Sequence, residues 1–230
     1  MRAEAPGFMA AAWIVARKDL AIELRTRSAF LSVAVFALLS LVIFFFAWDP
    51  TAVSAIDLAP GVLWVTFTFA GLLGLHRSFS VEMQDRAMDA LLVAPVDRES
   101  IYLGKAIANV VFVFALLVIA LPALALFYNL PLGRTLAALG PIAALAAIGL
   151  VAVGTLFSSM AVNTRLAELL LPMLSLPFFV PIVLASAQAS TRMLAGRPFT
   201  EYWGWIKILL AFDIVFLVAC TLLFPFTIEE

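Results

Sequence analysis

Residues 29–48 read AFLSVAVFALLSLVIFFFAW, a run without a single charged side chain. A helix rises about 1.5 Å per residue, so this stretch is about 30 Å long, the thickness of a bilayer's hydrocarbon core. Asp49-Pro50 closes it. Working outward, five more such stretches follow at about 60–79, 101–127, 135–160, 167–187 and 202–224. The last is interrupted by Lys207 and Asp213. The pattern predicts an all-α membrane protein with six transmembrane helices. Composition agrees: 65% of residues are hydrophobic and 13% charged, against about 25% charged in soluble domains. No soluble core of this length buries so much apolar surface.

Several classes are excluded. The net charge of −1 provides no basic face for nucleic acid. Cys220 is the single cysteine, so neither a disulfide framework nor a Cys-rich metal site is expected. The first 27 residues carry charges throughout and lack a compact apolar core with a cleavage site, so no cleavable signal peptide is expected.

Lys and Arg in the loops set orientation. With the N-terminus inside, the cytoplasmic side holds Arg2, Arg17, Lys18, Arg25, Arg27, Arg77, Arg86, Arg98, Lys105 and Arg165. The outer side holds Arg134, Arg192, Arg197 and Lys207. Both termini are therefore expected in the cytoplasm. Trp48, Trp64, Trp203 and Trp205 fall near outer helix ends, where an aromatic belt accounts for them.

Residues 1–28 form a segment of their own ahead of the membrane domain, residues 29–230. Met9, Trp13, Ala16, Leu20 and Leu24 recur at helical spacing, while Arg17, Lys18, Glu23, Arg25 and Arg27 lie largely off that face. This predicts an amphipathic helix in the inner interface, basic side toward anionic headgroups. A solvated tail is the plainer alternative. The outer loops at 49–59 and 129–134 are short; the longest, about 186–201, has room for a re-entrant or surface helix.

Between the second and third spans lies a charged insert, FSVEMQDRAMDALLVAPVDRESIYLGK, residues 79–105. On a helix, Glu82, Asp85, Arg86 and Asp89 share one sector; Phe79, Met83, Ala87, Ala90 and Leu91 share another. Pro95 stops that helix, and Asp97 is placed to cap the next. A mere connection needs only a few polar residues. A solvated surface helix is the bland reading. The functional one is a docking element, at about 79–100, that passes force from a soluble partner into the membrane. The chain has no nucleotide site of its own. Gly104-Lys105 is the only Gly-Lys pair, Ala106 follows it, and Glu99 stands where a phosphate loop needs its first glycine. ATP hydrolysis is therefore expected in a separate subunit, and no catalytic residue in this chain.

These residues resemble a known family. The Lys18-Asp19-Leu20 turn with Glu23 and Arg25 is similar to the N-terminal signature of CcmB-type haem exporter permeases, membrane subunits of the ABC transporter of cytochrome c maturation. Gly61-Val62-Leu63-Trp64, Phe69-Ala70, Arg77 and Phe79 resemble that family's second span. Ala94-Pro95, Tyr102, Gly104-Lys105 and Asn109 resemble its entry into the third. The family's cytoplasmic motif is Phe-x-x-Asp-x-x-Asp-Gly. Here Phe79 and Asp85 hold, while Glu82 and Arg86 replace the first Asp and the Gly. The resemblance implies an ABC-2-type permease architecture and a homodimer joined to two copies of a cytoplasmic ABC ATPase. It also implies partnership with haem-handling membrane proteins and a periplasmic haem chaperone, in a bacterial inner membrane. Haem is implied as a handled ligand, not a covalent cofactor.

Phe79, Glu82, Asp85, Arg86 and Asp89 are the candidates for ATPase contact. His76, the single histidine, is a weak haem-ligand candidate, with an interfacial histidine beside Arg77 as the alternative. Trp203-Gly204-Trp205 faintly resembles haem-handling loops, with the aromatic belt as its alternative. Asp213 lies at membrane depth, where insertion costs about +2.5–3.5 kcal/mol; it is expected to face the bundle or a water-filled cavity. Lys207, six residues earlier, is about 120° away on the helix and is expected to snorkel outward. Arg165 and Glu168 form a candidate surface pair. Pro172, Pro177 and Pro181 permit bending of the fifth span, and Gly149, Gly154 and Ser158 permit close packing of the fourth. Two rivals remain: an ABC-2-type exporter permease for a lipid or drug, and an assembly scaffold that transports nothing.

Overall fold

A computed structural model describes residues 6–84, 96–161 and 167–228, with side chains described for 6–76, 96–160 and 172–227. Among these residues there are helices and no strands. The helices are α1 (Phe8–Thr26), α2 (Ser28–Ala47), α3 (Ala55–Gln84), α4 (Arg98–Phe127), α5 (Leu132–Ala161), α6 (Ala167–Leu194) and α7 (Phe199–Ile228). Six of them, α2 to α7, are long and apolar enough to cross a membrane. The helices alternate in direction. The ends of α3 and α5 and the starts of α4 and α6 share one side, the insert side; the short connections after α2, α4 and α6 lie opposite.

The junction of α1 and α2 is one residue. Arg27 takes a left-handed conformation, φ 54°, and its N–H closes on Glu23 O at 2.7 Å. The Glu23 carboxylate then accepts a bond from Phe30 N at 2.8 Å, occupying a backbone donor that the first turn of α2 leaves over. The α2–α3 connection is fixed by side chains too. Asp49 accepts bonds from Thr51 N and Oγ1, and Trp48 Nε1 donates to Val53 O. Ser54 and Asp57 bond reciprocally across the first turn of α3.

α3 and α5 form the centre: 72% and 61% of their membrane windows are buried, against 28% for α2 and 22% for α7. α5 packs on α4, α6 and α7, and α3 on α2 and α6. The α5 face is built of small residues, among them Ala143, Ala146, Ala147, Gly149 and Ala152. In a bilayer there is little hydrophobic drive between helices, so close approach of small residues supplies contact. Gly154 receives Leu75 of α3, and Gly71 receives Leu150 of α5, at positions where a β-carbon would press on the leucine side chain. Large apolar side chains of α2 and α7, such as Val35, Leu39, Ile43, Val215, Val218 and Leu222, are exposed outward.

The structure differs from the sequence expectations in two places. First, α6 runs unbroken to Leu194 and α7 starts at Phe199, so a helix within a 186–201 loop does not exist. The polar end of α6 stays helical because Ser190 finds a partner in Trp64 of α3 and Gln188 one in Arg192 a turn further along α6. Second, Trp64 is fully buried instead of sitting in a lipid-facing belt. Its indole N–H donates to Ser190 Oγ at 3.0 Å, the partner a buried indole needs. On α1, of the stripe Met9, Trp13, Ala16, Leu20 and Leu24, only Ala16 is buried in the protein, alongside Ala11, Ala12 and Val15. That small-residue face packs on α4. Met9, Trp13 and Leu24 point away from the protein with Phe8, Ile14 and Ile22.

Candidate functional site

α3 continues past the core for its last turns and ends at Gln84; at about 1.5 Å per residue its 30 residues span about 45 Å, longer than the hydrocarbon layer. Phe79 and Glu82 therefore belong to α3. Asp85, Arg86 and Asp89 lie outside the described residues, as do Pro95 and Arg165; the Glu168 side chain is likewise not described. The chain resumes at Val96, and Asp97 is the extended residue before α4. Its carboxylate makes no cap bond; instead its carbonyl oxygen accepts Ser100 Oγ at 2.6 Å.

The first turns of α4 carry Tyr102, Lys105 and Asn109 at spacings of three and four, on one face of the helix. Each reaches a different position in the bundle. Lys105, with no exposed surface, meets Asp19 Oδ2 of α1 at 3.3 Å, and Lys18 meets the other oxygen of Asp19 at 3.1 Å. Fully buried lysine requires such pairing. Gly104 lies against the α1 backbone: a β-carbon there would stand 2.5 Å from Ala12 O and 2.7 Å from Val15 Cβ. Tyr102 Oη donates to Ala152 O of α5 at 2.8 Å, and its ring packs on Phe224 of α7 at 5.3 Å. Asn109 Nδ2 donates to Thr155 Oγ1 at 3.2 Å. The helix entered from the charged insert is thus tied to α1, α5 and α7 within its first dozen residues. Sequence reading noted Lys18-Asp19 and Gly104-Lys105 separately and missed that they meet. The signal was the spacing of Tyr102, Lys105 and Asn109 on one face.

Asp213 faces inward. It is 6% exposed, near the middle of α7, and neither carboxylate oxygen has a hydrogen-bond partner. It lies against Gly149 of α5, where a β-carbon would stand 2.5 Å from Oδ1. Lys207 is exposed on the same helix.

The three haem-contact candidates are not brought together. His76 is half-buried near the insert end of the α3 core. Trp203 and Trp205 lie at the start of α7, on the opposite side. Trp203 is partly exposed and stacks on Phe199 at 4.9 Å. Trp205 lies under the Arg192 guanidinium, 5.5 Å from the ring centre. Arg192 also donates to the Gln188 carbonyl at 2.9 Å and to the Gln188 side chain. Among the described residues no group of three or more His, Cys, Asp or Glu could hold a metal ion.

The family model for the CcmB protein matches residues 10–230, nearly the whole chain, including the α1–α4 contact and all six apolar helices. The chain belongs to the CcmB family. Among its relatives is Heme exporter protein B of Rhodobacter capsulatus, 30% identical over 179 residues, which cover 78% of this chain and 82% of the relative. Heme exporter protein B of Bradyrhizobium diazoefficiens is 29% identical over 205 residues, 88% of this chain and 90% of the relative. That of Escherichia coli K12 is 26% identical over 97 residues, 42% of this chain and 44% of the relative. In this CcmB-family chain the α4 face of Tyr102, Lys105 and Asn109 joins the start of α4 to α1, α5 and α7.

Proposed function

We propose that this chain is the permease subunit of an ATP-driven haem exporter in a bacterial inner membrane, serving cytochrome c maturation. The observation that carries the reading is membership of the CcmB family together with relatives named Heme exporter protein B over most of their length. Hydrolysis belongs to a separate cytoplasmic ABC ATPase, which engages the segment at 79–100 through Phe79, Glu82, Asp85, Arg86 and Asp89. Two features support that placement. α3 is longer than the bilayer and leads into the segment. α4, which leaves it, is bonded to α1, α5 and α7, so a push on the segment reaches several helices at once. Ten of the fourteen Lys and Arg fall on the side of that segment and the termini, which supports a cytoplasmic position for all three. The chain works as a homodimer, and its ATPase cycle serves export of haem or release of the haem-loaded chaperone.

The test is affinity purification of the tagged chain from its native membrane, beside a variant carrying Asp85→Arg and Arg86→Glu. An ABC ATPase that accompanies the native chain and is lost from a variant of unchanged stability is the expected result. Haem-chaperone proteins in the same sample favour haem over lipid or drug export. Absence of any ATPase across several detergents overturns the reading and leaves a scaffold.

A further inference from the structure

A carboxylate in hydrocarbon requires a cation, hydrogen-bond donors or water; lacking them it takes up a proton instead. Asp213 is more than nine-tenths buried, and both its oxygens are without a hydrogen-bond partner. The apolar side chains of Ile182 and Phe212 stand with it around Gly149. The helices packed on α7 are α4, α5 and α6, and among the described residues none brings a countercharge to this depth; Arg98 and Glu99 stand in the first turn of α4 and Glu168 in the first turn of α6. Residues 139–159 of α5, 173–191 of α6 and 106–127 of α4 contain no titratable side chain. Beyond those ranges, Arg134 lies against Gly196 at the far turn and Arg192 is bonded to Gln188. Lys105 is paired with Asp19, and Tyr102 is bonded to Ala152. On α7 itself, Glu201 and Lys207 are exposed toward its start, and Cys220 is buried two turns further on. The seat is also specific. A β-carbon at position 149 would press on the carboxyl, so its present place against α5 uses the absence of a side chain there.

We propose that Asp213 is a proton-binding site in the membrane core, a neutral carboxylic acid while α7 is seated on Gly149, which gives up its proton when α5 and α7 part. In that step the O–H bond breaks, its electron pair stays on the carboxylate oxygen and the proton passes to water admitted between the helices. The site goes beyond the haem-export reading and stands without it. An ionisable group at this depth normally marks a functional path, and here it makes the α5–α7 contact a place where helix movement and protonation are linked.

The experiment is infrared spectroscopy of the full chain in phosphatidylcholine–phosphatidylglycerol vesicles, from mildly acidic to mildly alkaline pH, for the native chain and Asp213→Asn. The expected result is a carboxylic-acid carbonyl band in the native chain at neutral pH that is missing from Asp213→Asn. On transfer to heavy water the band shifts slowly in the native chain and several-fold faster in Gly149→Ala, whose methyl group displaces the carboxyl. If Asp213→Asn does not fold, carboxyl-¹³C aspartate in the unmutated chain identifies the band by its isotope shift. A native chain with only ionised aspartate bands at neutral pH overturns the proposal. So does a band that shifts fully on mixing, since the site then stands open to solvent.

Discussion

Lys105 of α4 and Asp19 of α1 meet at 3.3 Å, with the lysine fully buried and the carboxylate 12% exposed. Two elements separated by the whole of α2, α3 and the charged insert are joined at one ion pair. Removing one partner of a buried pair leaves the other charge stranded, at about 3–5 kcal/mol. Asp19→Asn, which takes the carboxylate away from a fully buried ammonium, is therefore expected to lower stability by about 3 kcal/mol. Lys105→Met is expected to cost less, because the remaining Asp19 keeps Lys18 and some solvent. The exchange Asp19→Lys with Lys105→Asp should recover part of the loss. Equilibrium unfolding in mixed micelles measures all three, and no recovery in the exchanged chain would count against a specific pair.

Gly104 offers a test of how closely α1 lies on α4. A methyl group at 104 meets the Ala12 carbonyl and Val15 Cβ, both on or near backbone that can yield only if α1 shifts. Gly104→Ala is expected to destabilise by about 1–3 kcal/mol, as overpacking does. At Gly61 of α3 an added methyl group would find no heavy atom within 4 Å, so Gly61→Ala is expected to be neutral or slightly stabilising. Equal effects from the two substitutions would remove the argument from close approach.

Trp64 and Ser190 join α3 to α6 by a buried bond of 3.0 Å. Interhelical bonds in bilayers average about 0.6 kcal/mol and reach about 1.7. A double-mutant cycle with Trp64→Phe and Ser190→Ala should give a coupling in that range. A coupling of zero would mean that the indole's burial is a matter of packing alone.

Glu23 caps α2 through Phe30 N. Glu23→Ala removes that acceptor and is expected to cost about 1 kcal/mol, in the usual range for a helix cap. Glu23→Gln, which keeps an acceptor oxygen, should cost less. Hydrogen exchange at the first amides of α2 reports the fraying directly, and unchanged exchange in Glu23→Ala would show that water replaces the carboxylate there.

The six apolar helices are legible in the sequence because a bilayer demands about twenty apolar residues in a row and little else supplies them. The stretch 29–48 lies within one residue of α2. Ends are harder. α3 starts at Ala55, five residues before Pro60, because Ser54 and Asp57 nucleate its first turn; α6 keeps its polar end to Leu194 because Trp64 and Arg192 supply partners from inside the bundle or along the helix. The inward turn of Asp213 follows from the cost of its charge in hydrocarbon, but its seat on Gly149 depends on how α5 and α7 cross. Asp19 and Lys105 lie 86 residues apart, and no periodicity links them. The segment 79–100 stands out by charge alone, and what it binds is a matter for the purification experiment.

The single residue between α1 and α2 leaves no slack. One residue has two soft torsions, and those of Arg27 are engaged by its own bond to Glu23 and by the Glu23 bond to Phe30. α1 and α2 therefore act as the two arms of a bell crank pivoting at Arg27. A displacement of α1, beyond what this pivot absorbs, becomes tilt in α2, whose outer face carries exposed apolar side chains and offers little resistance.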